Sequence, residues 1–368
     1  MAQPASELLT TLLRGVSRSF YLTMRVLPAA IRPQIGLAYL LARATDTIAD
    51  TDIIPIETRL QALEDFRERI LGQRNGPLDF GKIARSEVRG AREEREGVRA
   101  GSPTLPTPER VLLERMEEML LLLNGFSAAD QDLIREVLQT ITSGQMMDLR
   151  RFGGGTASHI LSLQTHAELD DYTYRVAGCV GEFWTRICRA HLFPKALLDE
   201  AGLLGDGVRF GKGLQLVNIL RDVPGDLRQG RSYLPAEDWQ RFGLTPAAML
   251  EPANEPAFRP LYELYLNQAE AHLAAGWAYT NALPRRCVRV RLACAWPLLI
   301  GVRTVGRLRA GNVLDPAHRI KVGRAEVRKL VARSMLAYPW PRAWDRLFRL
   351  TSAGSGRARG ASEPQDGC

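Results

Sequence analysis

Long hydrophobic runs, metal-spaced cysteines and strand-like alternation are what this 368-residue sequence lacks. The longest apolar stretch, Leu292 to Val302 (LACAWPLLIGV), is bounded by Arg291 and Arg303 and contains Pro297. It falls short of the ~20 apolar residues that span a bilayer, so it reads as a core helix. Five cysteines (Cys179, Cys188, Cys287, Cys294, Cys368) form an odd set, the first four inside apolar helical patterns. That predicts buried free thiols in a reducing cytoplasm. The start, MAQPASELLTTLLRGVSRSF, has no basic stretch followed by an apolar core and a small-residue cleavage site, so no secretory leader is expected. His159, His166, His191, His272 and His318 show no zinc-binding spacing, and neither a GxSxG elbow nor a Walker sequence is found. Gly153 to Gly155 in RFGGGTAS follow no strand and predict a turn.

What is present is helical. The chain is 45% hydrophobic, enough for one large domain or two ordinary ones. Ile31, Ile35, Ala38, Ala42 and Ala49 recur at helical spacing, and an all-α fold follows. Helical segments are predicted at 5–15, 29–50, 56–71, 108–125, 128–150, 158–164, 167–190, 195–203, 207–222, 258–281, 286–308 and 324–337. Ser127 before AAD is a helix start with a capping hydroxyl, and Gly125 closes the helix before it. Residues 72–107 break the pattern with glycine, proline and dense mixed charge, which predicts a long surface excursion between helices. The tail from Thr351 (TSAGSGRARGASEPQDGC) has the composition of a disordered segment.

Forty-nine Lys plus Arg against 41 Asp plus Glu give a net charge of +8, so an anionic partner is expected: nucleic acid, an acidic membrane surface or a polyphosphate. The arginines are dispersed and no recognition motif accompanies them, which argues against nucleic acid.

One feature recurs, an aspartate pair four residues apart. In YLLARATDTIAD (39–50), Tyr39, Arg43, Asp46 and Asp50 fall at i, i+4, i+7 and i+11 and share a helical face. In GLQLVNILRDVPGDLRQGRSYLP (213–235), Gln215, Asn218, Asp222 and, if the helix continues, Asp226 do the same. Pro224 and Gly225 disfavour that continuation, so Asp226 is expected on a loosened last turn. Two acidic faces set in apolar runs need a cation between them. Magnesium suits, because it takes oxygen ligands and bridges carboxylates to substrate phosphates, with Asn218 as a neutral ligand. Arg43, Arg221, Arg228 and Arg231 are fork-shaped donors for phosphate oxygens. Carboxylates, magnesium and arginines describe a diphosphate site, and predict ionisation of an allylic diphosphate in an apolar setting.

With these motifs the chain resembles the squalene/phytoene synthases, head-to-head prenyltransferases, from about Ser17 to about Lys329. VSRSF (16–20) resembles the family's N-terminal substrate segment, with Ser17, Ser19 and Phe20 as substrate contacts. YLLARATDTIAD is similar to the first aspartate-rich motif with its tyrosine and arginine. SGQMMDL (143–149) is similar to the glycine-methionine segment of the central helix. DYTYRVAGCVG (171–181) resembles a block whose first tyrosine, Tyr172 here, has a catalytic role. The second aspartate motif carries Gln215, Asn218, Arg221, Asp222 and Asp226 at matching positions.

The resemblance implies a single-domain isoprenoid synthase fold over residues 1–350 with a central cavity between helices. It also implies a two-step reaction on two molecules of farnesyl diphosphate. One ionises at the magnesium cluster of Asp46, Asp50, Asn218, Asp222 and Asp226, and its allylic cation is attacked by the other's double bond, giving presqualene diphosphate. A second ionisation, rearrangement and hydride from NADPH yield squalene. Tyr172 would stabilise charge or help relay the proton, while Tyr39, Arg43, Gln215, Asn218, Arg221 and Arg231 hold substrate. HRIKVGRAEV (318–327) resembles the basic segment near the NADPH phosphates, with Arg319 and Lys321 at the cationic positions and Arg18, Arg43 and Arg221 also on the cofactor.

The sequence departs from the pattern at Ala49 and Gly225, where relatives often carry acids. Fewer carboxylates imply weaker metal binding or a different metal requirement. Other products of the same fold stay open: phytoene, dehydrosqualene, presqualene diphosphate or hydroxysqualene. So does a helical assembly factor that has lost catalysis. Greasy substrate and product imply a cytoplasmic protein peripheral to the membrane, held by a helical face and basic residues.

Overall fold

The computed structural model describes residues 8–16, 20–51, 54–78, 80, 108–315 and 320–353, without the side chains of Phe20, Ser352 and Ala353. Ser17, Arg18, Ser19, His318, Arg319 and Cys368, all named above, lie outside them, as do 81–107 and 354–368. After a π-helical turn at Leu8–Leu12 come α1 (Leu13–Val16), α2 (Phe20–Val26), α3 (Arg32–Ala49), α4 (Ile56–Ile70), α5 (Pro108–Glu114), α6 (Met116–Asn124) and α7 (Ala128–Phe152). The chain continues with β1 (Leu161–Ser162), α8 (His166–Thr173), α9 (Cys179–Leu192), α10 (Glu200–Arg228), β2 (Arg231–Ser232) and α11 (Ala236–Arg241). It ends with α12 (Glu255–Ala282), α13 (Val288–Ala310), α14 (Arg324–Ala337) and α15 (Pro341–Ala353). The all-α reading holds. No described helix is long and apolar enough to cross a membrane.

Two compact units divide the chain: Met1–Gly153 with Cys179–Leu197, and Gly154–Gly178 with Leu198–Cys368. In the first, α3 packs on α7, and α7 also carries α4 and α9. Ser127 caps α7 as expected, its hydroxyl accepting from the Asp130 amide at 3.2 Å. A buried polar tie joins three helices of this unit. Asp130 on α7 accepts from Gln34 on α3 at 3.2 Å and lies 2.7 Å from His191 Nε2 on α9. Phe80 is buried edge-on against Phe66, 6.0 Å between ring centres, so part of the expected surface excursion is packed.

The second unit is built on α10 against α12, with α13 behind. The Leu292–Val302 stretch lies inside α13 and is largely buried, as expected of a core helix. The approach of α10 to the turn after α8 is so close that a β-carbon at Gly211 would stand 2.1 Å from the Ala177 carbonyl oxygen. Only glycine fits there.

Several segment predictions are corrected. Residues 158–164 are not helical: Leu161 and Ser162 pair in parallel with Arg231 and Ser232, a register seeded by the left-handed Gly230 (φ 79°). The 108–125 segment is broken at Arg115, whereas 167–190 is helical throughout, with a π-helical turn at Tyr174–Gly178. The 195–203 and 207–222 segments merge into one helix that starts only at Glu200, capped by Asp199, and 195–199 are not helical. At the C-terminus α15 covers Thr351, where the tail was expected to begin. Cys179, Cys188 and Cys294 are buried free thiols, but Cys287, at the head of α13, is only half-buried.

Candidate active site

In the first unit the site is one face of α3. Its neighbours Ile35, Leu37, Leu40, Leu41, Ala44 and Ile48 are buried, which leaves Tyr39, Arg43 and Asp46 half-buried and Asp50, the C-cap, exposed. Arg59 donates to the Ala49 carbonyl at 2.7 Å and so fixes the last turn, where helix carbonyls lack partners. Tyr39 Oη donates to the Val16 carbonyl at 3.5 Å, tying the face to the residue that precedes Ser17. Arg43 stands between two carboxylates, 3.9 Å from Asp46 and 3.6 Å from Glu109.

Gln145 completes this face. It projects from α7, donates its amide to Asp46 Oδ1, and leaves its own Oε1 buried with no hydrogen-bond partner among the described residues. The Asp46 carboxyl is pushed up to about 7, first by loss of solvation, then by the charge of Asp50, against the opposing pull of Arg43 and Gln145. Yet 46% of its side-chain surface is accessible. A carboxyl raised in this way and still open to solvent is one that a cation can reach and that gains by pairing with it.

In the second unit α10 runs unbroken through Asp222, Pro224 and Asp226 to Arg228, against the expectation of a loosened turn. Pro224 has no N–H for the Leu220 carbonyl. That carbonyl instead accepts from Tyr262 Oη on α12 at 2.9 Å. Burial raises the Tyr262 pKa well above its ordinary value and keeps the phenol protonated as a donor. The helix therefore holds Gln215, Asn218, Asp222 and Asp226 in one row, as the spacing requires. Arg221 grips Asp222 through both Nε and Nη2, and Arg231 Nε lies 3.0 Å from Asp226 Oδ1. A β-carbon at Gly225 would meet nothing within 4 Å, so the position has room for an acidic side chain.

Tyr172, near the end of α8, is buried and stacks on Tyr233, ring centres 4.8 Å apart at 23°. Strand β2 and the residue after it thus send Arg231 to Asp226 and Tyr233 to Tyr172, two residues apart. Lys321 is exposed, and its carbonyl accepts from Arg307 Nη1. Sequence reasoning did not place Gln145, Glu109, Tyr233 or Tyr262 in the site. Gln145 and Tyr233 lie within quoted motifs, SGQMMDL and RSYLP, whereas Glu109 and Tyr262 carry no local signal.

The donor chemistry fits magnesium. Asp46, Asp50, Asn218, Asp222 and Asp226 offer only oxygen ligands, and Asp46 and Asp222 are accessible. Among the described residues no group of three or more His, Cys, Asp or Glu side chains is gathered as a metal cluster. The carboxylates of the second unit are held by arginines instead.

An all-helical chain with these two aspartate rows has the isoprenoid synthase fold. The chain belongs to the squalene/phytoene synthase family: that family's model matches residues 13–326. Its members are prenyltransferases. Presqualene diphosphate synthase of Rhodopseudomonas palustris is 30% identical over 275 residues, 75% of this chain and 78% of its own. The 15-cis-phytoene synthase of Synechocystis is 27% identical, covering 77% and 71%. Squalene synthase ERG9 of Saccharomyces cerevisiae is 28% identical over 66% of this chain, and the match spans only 48% of the yeast protein. TcSQS in complex with the ligand E5700 superposes with a TM-score of 0.73 at 22% identity, over 97% of this chain and 94% of that one, a likeness of fold.

Proposed function

We propose that the chain is a squalene synthase: it joins two farnesyl diphosphates head to head through presqualene diphosphate and reduces the product with NADPH. The observation that carries this reading is the pair of aspartate rows, Asp46 with Asp50 and Asp222 with Asp226, each beside an arginine. Magnesium held by Asp46, Asp50, Asn218, Asp222 and Asp226 would neutralise charge on the departing diphosphate. Arg43, Arg221 and Arg231 exchange their carboxylate partners for diphosphate oxygens, which accept the same bidentate donors. Gln145 sets the orientation of Asp46. Gln215 and Asn218, on the same face as Asp222, orient the substrate, and Ser17, Ser19, Phe20 and Tyr39 line its path. Tyr172 Oη takes part in removing the proton whose loss closes the cyclopropane, its ring fixed by Tyr233. The apolar residues around these rows keep water from the cation. Arg18, Arg319 and Lys321, with Arg43 and Arg221, bind the NADPH phosphates.

A second reading keeps the fold and stops at presqualene diphosphate or at an unreduced C30 or C40 product. The 30% identity to a presqualene diphosphate synthase favours weighing it. Product mass after incubation with farnesyl or geranylgeranyl diphosphate and magnesium, with and without NADPH, separates the two. Squalene formed only with NADPH supports the first reading. A diphosphate or unreduced product in both arms replaces it with the second.

A further inference from the structure

Helix α15 lays Trp344, Leu347, Phe348 and Thr351 inward, with Trp344 and Phe348 stacked on Trp277 at 5.0 and 5.3 Å between ring centres. Its outer face then carries Arg342, Arg346 and Arg349 at helical spacing, all exposed, and none of them pairs with an acid among the described residues. Beside them the linker between α14 and α15 displays Trp340 at 69% exposure and the end of α14 displays Leu336 at 75%. These are the residues a folded protein usually hides.

The turn between α12 and α13 belongs to the same surface. Arg285 Nη2 donates to the Pro339 carbonyl at 3.0 Å, and Tyr338 Oη donates to the Arg285 carbonyl at 2.6 Å. Between the turn and α15 lies a cavity of about 280 Å³. Arg285, Arg291, Tyr338 and Trp344 are on its wall, with Asp345 the one carboxylate. Arg291 is 7% exposed, lies 5.6 Å from the centres of both aromatic rings, and keeps its Nε without a hydrogen-bond partner among the described residues.

We propose that this α14–α15 surface, with Trp340 and Leu336 exposed in the segment that leads into Arg342, Arg346 and Arg349 and that Arg285 holds at Pro339, docks the protein on an anionic phospholipid bilayer. Exposed Trp and Leu enter the boundary between headgroups and acyl chains, and arginines beside them meet lipid phosphates. Both are needed, and this segment supplies both within fourteen residues, Leu336 to Arg349. A second copy of the chain fits poorly, because a two-fold contact would set the arginine row against itself. The inference stands on this surface alone, so its failure leaves the proposed reaction untouched.

The test uses the full chain sedimented with phosphatidylcholine vesicles, plain or mixed with phosphatidylglycerol. Binding is expected on the mixed vesicles and not on the plain ones. Replacing Arg342, Arg346 and Arg349 by Gln is expected to weaken it roughly a hundredfold. Trp340→Ser with Leu336→Ser is expected to weaken it by at least about tenfold. Both variants should keep the parent's helical circular dichroism and its turnover of detergent-dispersed substrate. Equal binding to both vesicle types, no binding to either, or parent-level binding by both variants overturns the proposal. So does a concentration-dependent dimer that the Gln variant abolishes.

Discussion

Gln145 donates its side-chain amide to Asp46 Oδ1 across 99 residues of sequence, joining α7 to the acidic face of α3. This is one of two interactions that restrain the rise in Asp46's pKa, so the carboxylate's readiness for a cation depends on it. Gln145→Leu is expected to move the acid limb of the rate profile to higher pH than the parent's, because a hydrogen bond that lowers the Asp46 pKa is lost. At neutral pH the rate should fall by roughly tenfold or more. Rates measured from pH 6 to pH 9 check it.

The same shift has a stability sign. Asp46 holds its proton more tightly folded than unfolded, so its contribution is full below the ordinary value of 3.8 and is lost as pH rises through about 7. In chelator, Asp46→Asn should melt above the parent at pH 8 and with it at pH 4. Thermal melts at the two pH values decide.

Tyr262 carries the continuity of α10. Tyr262→Phe orphans the Leu220 carbonyl beside Pro224 and should cost about 1–3 kcal/mol. The loss should extend to catalysis, because Asp222 and Asp226 then share a less regular turn. Denaturant unfolding, compared with diphosphate release at saturating magnesium, checks both effects.

Asp130 is a buried carboxylate of the first unit. Burial alone would raise its pKa, but the hydrogen bonds from His191, Gln34 and the α7 cap outweigh it and hold the pKa below its ordinary value of 3.8. The stability this gives is present above 3.8 and lost as pH falls through the lowered folded value. His191→Leu should cost about 2–4 kcal/mol at pH 7 and lose less at pH 3, as read by urea unfolding.

The helical architecture and both acidic rows were legible because 3.6-residue periodicity is a local property. Asp46 and Asp222 announced themselves by spacing alone. Local propensity misread Pro224, since the partner that rescues its helix, Tyr262, comes from another element 42 residues from Leu220. It misread 158–164 for a related reason: two-residue strands form only when Gly230 turns the chain beside them. α15 was missed because Pro339 and Pro341 bracket Trp340 at its start, while its apolar face shows only against Trp277. Glu109 pairs with Arg43 across chain that no window joins.

The proposed reaction begins when the two aspartate rows, with magnesium, ionise an allylic diphosphate. Inorganic diphosphate released from farnesyl diphosphate with magnesium is its most direct measure, taken for the parent, Asp46→Asn and Asp222→Asn. Release by the parent is expected, with a drop of at least about a hundredfold in each variant and helical circular dichroism retained. Release by either variant at the parent's rate would contradict it.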